Sequence, residues 1–163
     1  MTSPLAAPEE FRPALLALLL RDLTAEGKPV EIPVRGISMR PWLRDGDRVR
    51  LVPMTAAEMR VGDVVVRVNT AGPVIHRFVG RWPSRQGWRL LTKGDGASRL
   101  DPPVPADELV GRVVARVREG RTQRLEGAGM RLRGRARAAV SLAAGLIHEA
   151  WHRTRRRPDP PDV

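Results

Sequence analysis

The chain has no cysteine and no tyrosine, and aromatic residues make up only 4% of it. Without cysteine there can be no disulfide, no thiolate nucleophile and no cysteine-ligated zinc. So few aromatic rings leave the core to Val, Leu, Ile and Ala. They also leave little for stacking bases, so nucleic acid is not the expected partner. No apolar run reaches the roughly 18 residues needed to cross a bilayer. The segment Ala14–Leu20 lies between Arg12 and Arg21, follows Glu9 and Glu10, and has no small-residue cleavage site after it. It therefore reads as part of an amphipathic helix over about residues 8–26, closed by Gly27 and Pro29, and not as a signal peptide. The expected location is cytoplasmic or peripheral to a membrane.

Positive charge is abundant. Across 163 residues, 29 Lys and Arg face 18 Asp and Glu, a formal charge of +11. Such a balance favours anionic partners. Hydrophobic residues at 42% are enough for one folded domain of this length.

The middle of the chain reads as strands at Val30–Arg35, Arg48–Val52, Val64–Val68, Val74–Val79, Trp88–Leu91 and Leu109–Val117. Gly-Asp and Pro-rich turns separate them, which predicts a mainly β domain, a small barrel or coiled sheet. Asp101–Pro105 reads as a stiff loop. Beyond Gly120 the composition shifts to Arg and Ala around an apolar centre, Ala138–Ile147. The resulting organisation is an N-terminal amphipathic helix (1–29), a β domain (30–120), a basic amphipathic helical extension (121–157) and a disordered tail (158–163). A basic helix with an apolar centre suits an anionic membrane surface.

Chemistry-bearing residues are few. Ser38 follows a strand in the turn Val34-Arg35-Gly36-Ile37-Ser38-Met39, where a hydroxyl can be exposed beside free backbone N–H groups. Gly36 is open to backbone angles closed to other residues. His76 shares a strand face with Val74 and Phe78, and partial desolvation favours its neutral, proton-accepting form. Asp95 and Asp101 follow, either of which could orient an imidazole. His148-Glu149-Ala150-Trp151-His152 fits the H-E-x-x-H zinc pattern, but only eleven residues follow it and they offer no ligand beyond Asp159 and Asp162. No metal or cofactor is expected.

Taken in order, Gly36-Ile37-Ser38-Met39-Arg40-Pro41-Trp42-Leu43, Gly46-Asp47, Gly62-Asp63, Val74-Ile75-His76-Arg77-Phe78-Val79-Gly80 and Thr92-Lys93-Gly94-Asp95 resemble the signal peptidase I family over Val34–Val117. Bacterial members carry lysine where this chain has His76. The resemblance is to the Ser–His type of the endoplasmic reticulum, archaea and sporulation. It implies a LexA-like coiled β fold and a serine endopeptidase that cleaves an extended peptide or precursor, preferring small residues before the cut. It further implies Ser38 as nucleophile and His76 as general base, with Asp101 as acidic partner and Asp95 as the other candidate. Gly36, Ser38 and Met39 would line the oxyanion and substrate region. Bacterial members often have serine where Gly36 stands, and family members often have asparagine where Gly96 stands. Two other outcomes share the fold: a non-catalytic peptide-binding module and a self-cleaving LexA-like regulator.

Overall fold

The computed structural model describes residues 15, 18–20, 22–23, 26–27, 29–69, 71–125, 134–140 and 143. The His148–His152 motif, the 158–163 tail and most of the basic extension lie outside the described residues.

Eight strands form one sheet: β1 (Val30–Pro33), β2 (Arg48–Pro53), β3 (Val64–Asn69), β4 (Gly72–Ser84), β5 (Gly87–Lys93), β6 (Val104–Pro105), β7 (Leu109–Arg118) and β8 (Arg121–Arg124). All pairs are antiparallel, in the order β1-β2-β7-β3-β4-β5-β6, with β8 on the later half of β7. The mainly β expectation is met, as an eight-stranded antiparallel sheet.

Registers shift at Arg50/Leu51, Val66/Arg67 and Phe78/Gly80. Such bulges bend strands and increase their twist. The sheet accordingly packs on both faces. Alternation in β3 sends Val64, Val66 and Val68 into one cluster with Met39, Leu43, Val49 and Leu51, and Val65 into a second with Phe78, Leu90 and Met59. A strand buried on both faces needs a near-continuous apolar run, which explains the valines.

Three expectations need correction. The extension does not turn helical at 121, because Glu119 (φ 48°) and Gly120 (φ 73°) make a tight turn and Arg121–Arg124 pairs back onto β7. The strand at 74–79 runs on to Ser84, since Trp82 and Pro83 pair with Arg89 and Trp88 across an Arg85-Gln86 turn. Val104–Pro105, read as loop, makes a short edge strand on β5.

Helix is found at both ends of the described chain. Leu20 is buried in the first cluster, whereas Leu15, Leu18 and Leu19 are exposed. Residues 134–140 are helical and rest on the β domain through Gly134 and Ala138, one turn apart. A Cβ on Gly134 would stand 2.6 Å from the Gly62 carbonyl oxygen, so glycine there permits the close approach. Among the described residues, no helix is long and apolar enough to cross a membrane.

Candidate active site

Two elements of sheet geometry bring Ser38 and His76 together. β4 pairs with β3 so that His76 stands opposite Val65, on the face that also carries Phe78. Ser38 lies in the loop between β1 and β2. Its base is pinned by Val34 N–H donating to Asp47 O (2.7 Å), Gly46 N–H to Val34 O (3.2 Å) and Gly36 N–H to Asp45 Oδ1 (2.7 Å). Its tip is held from the other side by Gly96 N–H, which donates to the Ser38 carbonyl at 2.8 Å.

Ser38 Oγ is 3.0 Å from His76 Nε2, and His76 Nδ1 is 2.5 Å from Asp101 Oδ2. A carboxylate only accepts, so it fixes the imidazole proton on Nδ1 and leaves Nε2 to accept from the serine hydroxyl. Asp101 is itself positioned. Its N–H donates to Thr92 O (3.0 Å), and Thr92 Oγ–H donates to Asp101 Oδ2 (2.6 Å). Arg67 Nη2 lies 3.5 Å from the same oxygen, and Arg67 also pairs with Glu108. Burial alone would raise the Asp101 carboxyl; the hydrogen bonds from His76 and Thr92 and the charge of Arg67 outweigh it and hold the group below its ordinary value. A hydroxyl on a neutral imidazole backed by an ionised carboxylate can lose its proton as it attacks an acyl carbon.

Asp95 is placed elsewhere. Both its oxygens accept from Arg77 (Nε 2.7 Å, Nη2 2.6 Å), on the opposite face of β4 from His76. Arg77 also donates to Gly62 O (2.6 Å) and lies 5.1 Å over the Trp42 ring. The pair is almost fully buried. Of the two sequence candidates, only Asp101 touches His76, and Asp95 serves as a strut beneath the 94–97 turn.

The glycine and methionine expectations divide. Gly36 adopts φ 81°, a region that favours glycine, but its N–H is taken up by Asp45. Met39 is buried in the core. The N–H groups of Ser38 and Met39, like those of Arg35 and Ile37, donate to no described residue, so both are available to an oxyanion. Beside Ser38 lies a cleft of about 330 Å³, lined by Ile32–Gly36 on one side and Pro73–His76 on the other.

No protein-family model matches the chain, and no curated protein matches it.

Sequence reasoning passed over Arg67, and it read Thr92, Gly94 and Gly96 only as motif positions without a structural role. Arg67 carried a readable signal: a lone charge within a run of valines, at an inward strand position, must have a buried partner. Gly94 stood in the Lys-Gly-Asp motif, but nothing in the motif shows that its role is close contact. A Cβ there would stand 2.5 Å from the Ser38 carbonyl oxygen and 3.0 Å from Ser38 Cβ. Lys93, ahead of it, is buried and donates to Ala97 O (2.5 Å), with its ammonium pushed below the ordinary lysine value by burial against the pull of Asp95 and Asp101.

Proposed function

We propose that this chain is a serine endopeptidase of the Ser–His type, resembling signal peptidase I and the LexA-like coiled β domains related to it. The observation that carries the reading is the continuous contact from Ser38 Oγ through His76 to Asp101 Oδ2.

In this reading Ser38 Oγ attacks the peptide carbonyl while its proton passes to His76 Nε2, and Asp101 stabilises the imidazolium. The Ser38 and Met39 N–H groups face the developing oxyanion. Collapse of the tetrahedral intermediate returns the proton to the leaving amine and leaves an ester on Ser38, which water hydrolyses by the same route in reverse.

The cleft indicates the substrate class. β1 is an edge strand, so its outer side can pair with an extended peptide. At about 330 Å³ the cleft falls at the low end of ligand sites, and Ile32, Val34, Met39, Val74 and Ile75 give it apolar walls. Both features suit small, uncharged side chains next to the cut in a peptide or precursor-protein substrate.

A fluorophosphonate probe tests the reading. The probe's phosphorus should become bonded to Ser38 Oγ with loss of fluoride, detected by mass on the peptide that contains Ser38. Ser38→Ala should abolish labelling, and His76→Ala should slow it at least about 100-fold while circular dichroism stays native. Labelling of the His76→Ala variant at the native rate would defeat the proposal, and so would a native protein that takes no label.

A further inference from the structure

The β4–β5 hairpin ends in Arg81-Trp82-Pro83-Ser84-Arg85-Gln86-Gly87-Trp88-Arg89, which holds two of the four tryptophans in the chain. Trp82 is 57% exposed and Trp88 61% exposed, although indole surface is ordinarily covered. From Val64 to Gly94 the sequence contains no acidic residue. The recorded partners of Arg81 are the Ala56 and Ala57 carbonyls, and those of Arg89 are Pro103 O and Gln86 Oε1. Arg85 has no ion-pair partner among the described residues. Among the described residues, none of these three guanidinium groups forms an ion pair, although Asp107 lines the groove beside Arg81 and Arg89.

Register decides what kind of partner fits. Trp82 stands opposite Arg89, and Trp88 opposite Pro83. Residues directly opposite share a face and neighbours alternate, so the two indoles lie on opposite faces of the hairpin. Arg81, opposite Leu90, is on the Trp88 face, and Arg89 is on the Trp82 face. Each face therefore carries one indole and one guanidinium outside any ion pair among the described residues, with Arg85 at the apex. A groove of about 640 Å³ runs beneath Trp88, between the hairpin and Pro105–Asp107. A peptide lying in that groove would cover Trp88 and leave Trp82 in water. A medium that surrounds the tip covers both.

We propose that the β4–β5 hairpin tip is an anchor for anionic membrane surfaces, with Trp82 and Trp88 seated at the headgroup boundary and Arg81, Arg85 and Arg89 among lipid phosphates. Indoles prefer that boundary, and basic residues near an anionic leaflet each add to binding. This role is independent of the Ser38 chemistry. It assigns membrane contact to the β4–β5 hairpin of the β domain, where composition alone pointed to the C-terminal basic helix. Some eight residues of extended strand separate His76 from the tip, so an anchored molecule would hold its cleft about 25 Å from the tip.

Sedimentation of the full chain with phosphatidylcholine–phosphatidylglycerol vesicles tests this, against phosphatidylcholine vesicles alone. The native protein should bind the anionic vesicles and release as salt is raised. The Trp82→Ala/Trp88→Ala double variant should bind at least about tenfold more weakly. Arg85→Gln should lose about fivefold, the equivalent of ~1 kcal/mol. Ser38→Ala should bind like the native protein, which separates this result from the peptidase reading. Native-like binding by the double variant overturns the anchor. Loss of binding on neutralising Arg153, Arg155, Arg156 and Arg157 with the hairpin intact also overturns it, in favour of the C-terminal segment. A protein that ignores vesicles but binds oligoglutamate, with the response lost in Trp88→Ala, overturns it in favour of an acidic peptide in the groove.

Discussion

Gly94 offers the sharpest test of how the Ser38 turn is held. In Gly94→Ala the new Cβ would begin 2.5 Å from the Ser38 carbonyl oxygen, against the 3.4 Å at which ordinary contact starts. The neighbouring atoms are backbone, so no side chain can rotate away. Relief takes a displacement of about 0.9 Å between the 94–97 turn and the Ser38 loop. The Gly96 N–H bond to Ser38 O spans that gap, and any shift of the Ser38 loop also moves Oγ against its 3.0 Å contact with His76 on β4. Misplacing a reacting group by about 1 Å costs on the order of 100-fold, or about 2.7 kcal/mol in barrier. Two other glycines calibrate the effect. A Cβ on Gly96 would meet the Ile37 and Arg40 carbonyl oxygens at 3.2 Å, and one on Gly80 would meet only Leu91 Cδ1 at 3.9 Å. The rate of fluorophosphonate labelling should therefore fall most in Gly94→Ala, less in Gly96→Ala and hardly at all in Gly80→Ala. Thermal melts of all three would separate lost folding from lost alignment. A folded Gly94→Ala protein labelled at the native rate would refute the argument.

The parts legible in the sequence were those that depend on alternation and order. Val64–Val68 was apolar enough to mark a largely buried strand, and His76 was placed on the Phe78 face by period alone. The choice between Asp95 and Asp101 was not legible, because both follow β5 closely and both are turn formers. Three-dimensional pairing decides it. β5 ends with Thr92 facing the His76 side, and the chain returns so that the Asp101 N–H meets Thr92 O, which sets its carboxylate on the imidazole. Asp95 leaves the strand on the other face and meets Arg77. Length of pairing was also hidden. The sequence reading ended this strand at Val79, yet it continues through Pro83 to Ser84, where β4 pairs with β5 alone and proline is tolerated. The turn at Glu119-Gly120 was masked by the arginine-rich composition that follows, which reads as helix when averaged over a window.

Asp95→Ala should destabilise the protein by about 3–5 kcal/mol in urea unfolding, because it strands the Arg77 charge in a site where both partners are almost fully buried. Replacing both members with apolar residues, Arg77→Met with Asp95→Leu, should recover much of the loss; a single variant as stable as native would show that the strut carries no weight. Asp101→Asn should keep the fold but slow labelling by up to about 10⁴-fold, since an amide can also donate to Nδ1 and so no longer fixes the proton there. The same carboxyl links folding to pH. Its folded value lies below the ordinary 3.8, so its stabilisation is in place above that value and is lost as pH falls through the folded one. Asp47, held low by the paired hydrogen bonds from Arg118, acts with the same sign. Native stability measured by urea titration should therefore drop steeply below about pH 4. The drop should be shallower in Asp101→Asn and in Asp47→Asn, and an identical acid slope in all three proteins would mean that neither carboxylate is bound in the way its contacts imply.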